Sequence, residues 1–302
     1  ARAAANTTNT WLARAAADMS KYLPGFYQRS HSALSPEQLV GQQAFENFLA
    51  ESASQVQGWP VQPADPASAD RVAVTVVQPG SQVQRYAQLI RWNLRLLGPK
   101  WALQLFYGRD EEKAALQLAL GNSPAIVWTP ISLEGQRRES ITLNEYNWLR
   151  LTMNFWRHIK QEHVLIFEAD SMVLKGGGCV EGFFAYDYVG APWRYGIGPP
   201  VGGNGGFTLR RRSKSAQAVQ LPEAKDLLGP NPSWNYVAED LAMSQLFQYL
   251  GANIAPADQA MHFSVETIDF HAPCGFHKTW LHHPMSMSRF MDQARQAMAS
   301  MV

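Results

Sequence analysis

The stretch His163-Val-Leu-Ile-Phe-Glu168-Ala-Asp170-Ser-Met-Val173 limits what this chain can fold into more than any other segment. Val164 to Phe167 is a short, apolar, partly β-branched run, the signature of a strand buried on both faces. It ends on two carboxylates, Glu168 and Asp170, with one residue between them. If the chain stays extended there, alternation points both to one side. Two acids converging at the carboxyl end of a core strand are costly unless a positive charge sits between them. A hard divalent cation shared with a phosphate-bearing ligand meets that need. Mg2+ and Mn2+ take a few carboxylates and complete their shells with substrate oxygens.

The residues on either side alternate strand and helix. Val72-Ala-Val-Thr-Val-Val77 reads as a strand, followed by Pro79-Gly80 and a helix over 82–97. Residues 101–107 alternate apolar and polar, Asp110 opens a short helix, and Ala125-Ile-Val-Trp-Thr129 is a third strand. Trp148, Leu151, Phe155 and Ile159 recur at three- or four-residue spacing and predict one helix from Asn144 to Lys160. This βαβαβ rhythm predicts an α/β fold, a mostly parallel sheet with helices on both faces. Ligands of such sheets bind beyond the carboxyl ends of the strands, where the two acids fall. Downstream, a Gly/Pro-rich loop from Gly196 to Gly206 precedes a strand over 205–210, and Glu239-Asp240 begins an amphipathic helix within 233–250. Upstream, helices are expected over 9–20 and over 36–54, the second started by Ser35-Pro36-Glu37. The Pro-rich stretch 59–70 reads as a linker. The expected division is an N-terminal helical stem over 1–70, one domain over 71–284 and a helical tail over 285–302.

With 26 Lys and Arg against 25 Asp and Glu, the formal charge is +1. That balance excludes a nucleic-acid binder held mainly by phosphate neutralisation. Charged residues make up only 17% and aromatics 11%, with ten Trp, a profile that suits a large core and a sugar- or base-stacking cleft. No run approaches the roughly twenty apolar residues that cross a bilayer. Arg2, Arg14 and Asp18 rule out a signal peptide in the Ala-rich start. Because the chain begins with Ala, it reads as a processed or trimmed form of a longer protein, with any membrane anchor removed. Cys179 and Cys274 can pair in an oxidising compartment, and Asn6-Thr7-Thr8 is a glycosylation sequon. The expected setting is the secretory pathway, the Golgi lumen, as a type II membrane protein.

Beyond the acid pair, three further motifs call for the same explanation: Gly202-Gly-Asn204-Gly-Gly206, Glu239-Asp240, and Gly275-Phe-His277-Lys278-Thr-Trp280. In this order the set resembles the nucleotide-sugar glycosyltransferases of the GT-A class, with Glu168-Ala-Asp170 similar to their DxD motif. Residues from about 72 to 280 more closely resemble a largely uncharacterised family of GT-A-like domains. Tyr146-Asn147, Phe155-Trp156, Glu168-Ala-Asp-Ser171, Tyr186-Asp-Tyr-Val-Gly-Ala-Pro-Trp193, Gly203-Asn-Gly-Gly-Phe-Thr-Leu-Arg210 and Gly275-Phe-His-Lys278 carry that likeness. The resemblance implies a GT-A-like (Rossmann-like) fold and roles for these residues. Asp170 would hold Mn2+ or Mg2+ against the donor diphosphate, and Glu168 would meet the ribose or a metal-bound water. His277 or His271 would complete the metal shell, and Lys278, with Trp280 beside it, would contact the diphosphate. Asn204, Gly205 and Gly206 would line the donor-sugar cleft. Asp240 would deprotonate the acceptor hydroxyl, with Glu239 as sugar-binding residue or alternative base. Trp193 and Trp234 would either stack on sugars or belong to the core, and Arg210 would turn inward toward a phosphate.

The expectation is therefore a metal-dependent, inverting glycosyltransferase. It would take a nucleotide sugar, a UDP-sugar first, and a glycan, glycoprotein or small-molecule acceptor. Two alternatives stand beside it. One is a sugar nucleotidyltransferase, for which Gln78-Pro-Gly-Ser81 is a poor phosphate loop. The other is a carbohydrate-binding domain that has lost its chemistry, as Glu in place of the first Asp allows.

Overall fold

The computed structural model of the chain describes residues 33–77, 82–194, 201–224 and 238–301. The expected helix over 9–20, the sequon, Gln78 to Ser81, Trp234 and part of the Gly/Pro-rich loop lie outside the described residues. The first element is helix α1 (Pro36–Gln57). Ser35 and Gln38 form a capping box, and Pro36 takes the first turn, where its missing N–H has no cost. Strand β1 (Arg71–Val77), helix α2 (Val83–Leu97), strand β2 (Ala102–Tyr107), helix α3 (Asp110–Ala119) and strand β3 (Ile126–Pro130) follow, then a small hairpin of β4 (Ser132–Leu133) and β5 (Gln136–Arg137). Helices α4 (Leu143–Arg150) and α5 (Met153–Arg157) precede β6 (His163–Phe167), β7 (Ser171–Val173), helix α6 (Gly177–Glu181), β8 (Tyr188–Ala191) and β9 (Asn204–Arg211). The last elements are α7 (Arg212–Ala218), α8 (Glu239–Tyr249), α9 (Ala257–Phe263), β10 (Ser264–Val265), β11 (Gly275–His277), a 3-10 turn (Thr279–Leu281) and α10 (Ser286–Ala299).

The main sheet has the order β3-β2-β1-β6-β9-β8. Its first four strands run parallel, β9 runs antiparallel to β6, and β8 at the edge pairs antiparallel with β9. This is the expected α/β frame, a mostly parallel sheet covered on both faces. Alternate strand residues feed two cores, as the period-2 geometry requires. Ala73, Leu103, Leu165, Phe167 and Leu209 pack beneath α1, α2, α9 and α10. Val72, Val74, Val164 and Ile166 pack against α4, α5, α7 and α8. Strand β2 is buried along its whole length, so its apolar–polar alternation hides no exposed face: Gln104 donates to Thr129 inside the sheet.

Three expectations change. The helix expected from Asn144 to Lys160 is two helices, because Thr152 adopts an extended conformation and its hydroxyl bonds back to Leu149 O. A β-branched residue whose side chain competes for backbone partners is a natural break. Second, β6 ends at Phe167, and Glu168 to Asp170 is a turn closed by Ser171 N–H to Glu168 O. The two acids converge by turning, not by strand alternation. Third, α1 is no detached stem. Phe45 and Phe48 are fully buried; Phe45 stacks on Trp280, and Phe48 meets Trp92 edge-on. Arg85 on α2 pairs with Glu46 and donates to Ala169 O, so α1 braces the acid turn itself. Helix α10 packs on α1 as well. Neither residue 70 nor residue 285 is therefore a packing boundary.

Candidate active site

A three-stranded sheet of order β10-β11-β7 builds the site. Strand β11 pairs antiparallel with β7 so that His277 lies opposite Ser171, one residue beyond Asp170. Lys278 N–H then donates to Asp170 O. This register carries the His277 ring to the acids: Nε2 is 3.3 Å from Asp170 Oδ1 and 3.5 Å from Glu168 Oε2. Glu168, Asp170 and His277 each offer a ligand atom, all within 4.8 Å of one another. Lys278 takes left-handed backbone angles (φ 43°), and its Nζ lies 3.0 Å from Asp170 Oδ2. The disulfide between Cys179 and Cys274, left open by the sequence, is formed and ties α6 to the residue preceding β11.

These residues fit a cation. Asp170 Oδ1 and His277 Nε2 are buried and lack a well-formed hydrogen bond, and buried polar atoms rarely stay unpartnered without a reason. A carboxylate and imidazole donor set suits Mn2+ and Mg2+ when phosphate oxygens complete the shell. Within the cluster His277 and Lys278 are the counter-charges. Burial pushes the Asp170 carboxyl up, but Lys278 and His277 outweigh it and hold the group at about 2. Burial likewise opposes ionisation of Glu168, yet His277, Arg150 and Lys278 keep it well below the usual carboxylate range. Burial alone would depress His277, but the acids around it raise it well above an ordinary histidine.

A buried polar network connects this cluster to the start of α8. Glu168 accepts from Tyr146 Oη at 3.0 Å and lies 3.2 Å from Arg150 Nη1. The same Arg150 nitrogen is 3.6 Å from Glu239 Oε2 and donates to Gly205 O. Glu239 is also gripped by both terminal nitrogens of Arg210. Arg150 and Arg210 hold Glu239 below the ordinary carboxylate range against the opposing effect of burial. Asp240 differs. Its Oδ2 accepts from Asn204 Nδ2 (3.2 Å) and Gly205 N (3.3 Å), and its Oδ1 accepts from Leu241 N (2.8 Å). Burial, then the neighbouring charges of Glu239 and Glu266, push its carboxyl up to about 6. A buried carboxylate with a pKa near 6 is suited to general-base work at neutral pH.

The structure thus brings together Glu168, Asp170, His277, Lys278, Asn204, Gly205, Gly206, Glu239 and Asp240. Several expected roles change. Glu239 is fully committed to two arginines, which leaves it no lone role as base or sugar ligand. Arg210 does turn inward, but toward Glu239 and not a phosphate. The glycines make room for the protein's own groups: a Cβ on Gly206 would overlap the His277 ring, and one on Gly205 would press on the Glu239 carboxylate. Asn204 uses both ends of its amide internally, toward Asp240 and Gly206 N–H. Trp280 is core, stacked under α1. His271 is exposed, outside the ligand cluster. Trp193 is buried beside Ala238 and Leu241, not presented as a stacking surface. The sequence reading assigned no role to Arg150 or Glu266. For neither did the local sequence carry a signal: Glu266 follows the two-residue strand Ser264–Val265, too short and too polar to repeat the apolar run that singled out Glu168.

A family model described as "Protein of unknown function (DUF5672)" matches residues 136–277, under half of the chain, and spans every acid of the site. No curated protein matches the sequence. Among solved structures, a mannosyltransferase from Pyrobaculum calidifontis in complex with GDP-Man and Mn2+ is similar at a TM-score of 0.42 and 16% identity over 74% of this chain and 69% of that one. Mouse xyloside xylosyltransferase 1, in its apo form, is similar at 0.47 and 11%, over 69% and 97%. The glycosyltransferase GlyE of Streptococcus pneumoniae TIGR4 is similar at 0.46 and 13%, over 78% and 64%. Likeness this loose assigns no reaction to the chain; its own side chains have to.

Proposed function

We propose that this chain is a metal-dependent, inverting glycosyltransferase that moves a sugar from a nucleotide-sugar donor, a UDP-sugar first, to a hydroxyl acceptor. The observation that carries the reading is the joining of a Glu168–Asp170–His277 ligand set and a weakly acidic Asp240 through one buried network. Charge supports it too. Five carboxylates (Glu168, Asp170, Glu239, Asp240, Glu266) face three fixed cations (Arg150, Arg210, Lys278). With His277 neutral as a ligand, the deficit of two positive charges equals one divalent cation. When bound, Mn2+ or Mg2+ supplies Lewis-acid neutralisation of the departing diphosphate.

The chain's own residues do the rest. Glu168, Asp170 and His277 hold the ion. Lys278, half-buried at the rim, is freed by Asp170's engagement to pair with a phosphate oxygen. Asn204 and the Gly205 N–H fix the Asp240 carboxylate, which accepts the acceptor hydroxyl's proton as that oxygen attacks. The Cys179–Cys274 disulfide supports an oxidising lumen, that of the secretory pathway and its Golgi compartment, as the place of action.

The test is a panel of UDP- and GDP-sugars incubated with the chain and Mn2+, following nucleoside diphosphate release and, by NMR, the anomeric configuration of the product. Turnover that needs Mn2+, falls at least about a hundredfold in Asp170→Asn and gives inverted product is expected; loss of an essential metal contact or base is worth that much or more. No turnover of any donor, or unchanged turnover in Asp170→Asn, refutes the reading.

A further inference from the structure

We propose that Glu266 is the positioning residue that sets the His277 imidazole for metal binding, an inference that rests on the metal reading above. Strand β10 pairs parallel with β11 in the register Ser264–Gly275 and Val265–Phe276. Continued by one residue, that register sets Glu266 beside His277. The side chains meet: Glu266 Oε1 is 3.3 Å from His277 Nδ1, on the opposite side of the ring from the acids at Nε2. Among the described residues His277 Nδ1 has no other hydrogen-bond partner, and its contact with Glu266 is a close approach without an aligned hydrogen bond. A neutral imidazole that gives its Nδ1–H to that carboxylate has its Nε2 lone pair free for a cation, and such partners govern ligand orientation and metal affinity.

Glu266 is built to hold still. It is 6% exposed. On one side, Val265 O accepts from Thr279 Oγ1. On the other, Thr267 Oγ1 bonds to Pro192 O and Arg194 N, and Thr267 O meets His283 Nε2. The ring it orients is walled by Gly206, where even a methyl group would collide. His277 therefore has one carboxylate to read its Nδ1 and little space in which to turn. Glu266 makes no ion pair with arginine or lysine among the described residues, unlike Glu239, so its buried charge has no other evident assignment.

The experiment compares two conservative variants of the whole chain. Glu266→Gln keeps the reach to Nδ1–H and an accepting oxygen but loses the charge. Glu266→Asp keeps the charge but withdraws it by one methylene. Mn2+ affinity is measured by calorimetry, and pulsed EPR reads the 14N coupling of a directly bound imidazole. If Glu266 acts by orientation, Glu266→Gln binds within about threefold of the parent, whereas Glu266→Asp weakens about tenfold and its 14N coupling fades, the range known for such partner residues. The reverse order, or both variants matching the parent in affinity and coupling, overturns the proposal. Asp170→Asn is the separate control: if it binds Mn2+ as tightly as the parent, the metal reading itself is wrong.

Discussion

Replacing the proposed base, Asp240→Asn, should abolish turnover and yet stabilise the chain. The Asp240 carboxyl sits at about 6 against an ordinary aspartate's 3.8. At 1.36 kcal/mol per pH unit, keeping it ionised in the folded state near neutrality costs about 3 kcal/mol. The amide removes that cost. Its oxygen can still serve Asn204 Nδ2 and Gly205 N–H, but its NH2 must then face Leu241 N–H and forfeits that bond, about 1 kcal/mol. The net gain is about 2 kcal/mol at pH 7.5, a rise of a few degrees in Tm for a chain of this size. The pH dependence fixes the sign. An acid whose folded pKa is raised favours the folded state below its unfolded value, and that advantage is lost as pH rises through about 6. The variant's gain over the parent should therefore be full above pH 7, fall to about 0.6 kcal/mol at pH 5 and turn into a deficit below about pH 4.5, where the forfeited Leu241 bond outweighs the remaining ionisation cost. Urea denaturation at three pH values, with a chelator present so that no bound metal alters the charge, measures it. A variant that is less stable than the parent at pH 7.5, or a difference that does not shrink with falling pH, would refute the account of Asp240 as a strained, buried base.

Other substitutions probe the same network from different sides. Gly206→Ala should weaken Mn2+ binding about tenfold by displacing the His277 ring, with the fold intact by circular dichroism; unchanged affinity means that the ring does not need that space. Arg210→Met leaves Glu239 buried with half its partners and should cost 3–5 kcal/mol, roughly, in urea denaturation, while the double variant with Glu239→Leu recovers most of it. Serine at both Cys179 and Cys274, which lie 95 residues apart, should cost about 4 kcal/mol by the same assay, and a loss under 1 kcal/mol would show the tie to be dispensable. A chain begun at residue 71 loses Phe45 and Phe48 from the core, roughly 3–5 kcal/mol each, and should be insoluble on expression; a soluble, cooperatively folding product would restore α1 to the status of an appendage.

How far the sequence can be read depends on whether a feature is local. The strands from Val72, Ala102 and Val164, and the helix begun by Ser35-Pro36, were legible because period and capping act within a few residues. The acid pair was legible because carboxylates at the end of an apolar strand demand compensation wherever they occur. The choice between Glu239 and Asp240 was not local. Adjacent residues on a helix point about 100° apart, and only the course of β9 decides that the first meets Arg210 and the second meets Asn204. The same holds for His277 and His271, of which the pairing of β11 with β7 brings only the first beside the acids. Trp280 misled for a related reason. Two residues after Lys278, the 3-10 turn carries it away from the acids and under Phe45, so a motif of six residues is divided between site and core. Arg150 shows the rule most plainly: an arginine on a helix predicts a solvated charge until the fold delivers Glu168, Glu239 and the Gly205 carbonyl to one point around it. The site's chemistry was therefore readable as a demand for positive charge, whereas the supplier of that charge, at each carboxylate, is a property of topology.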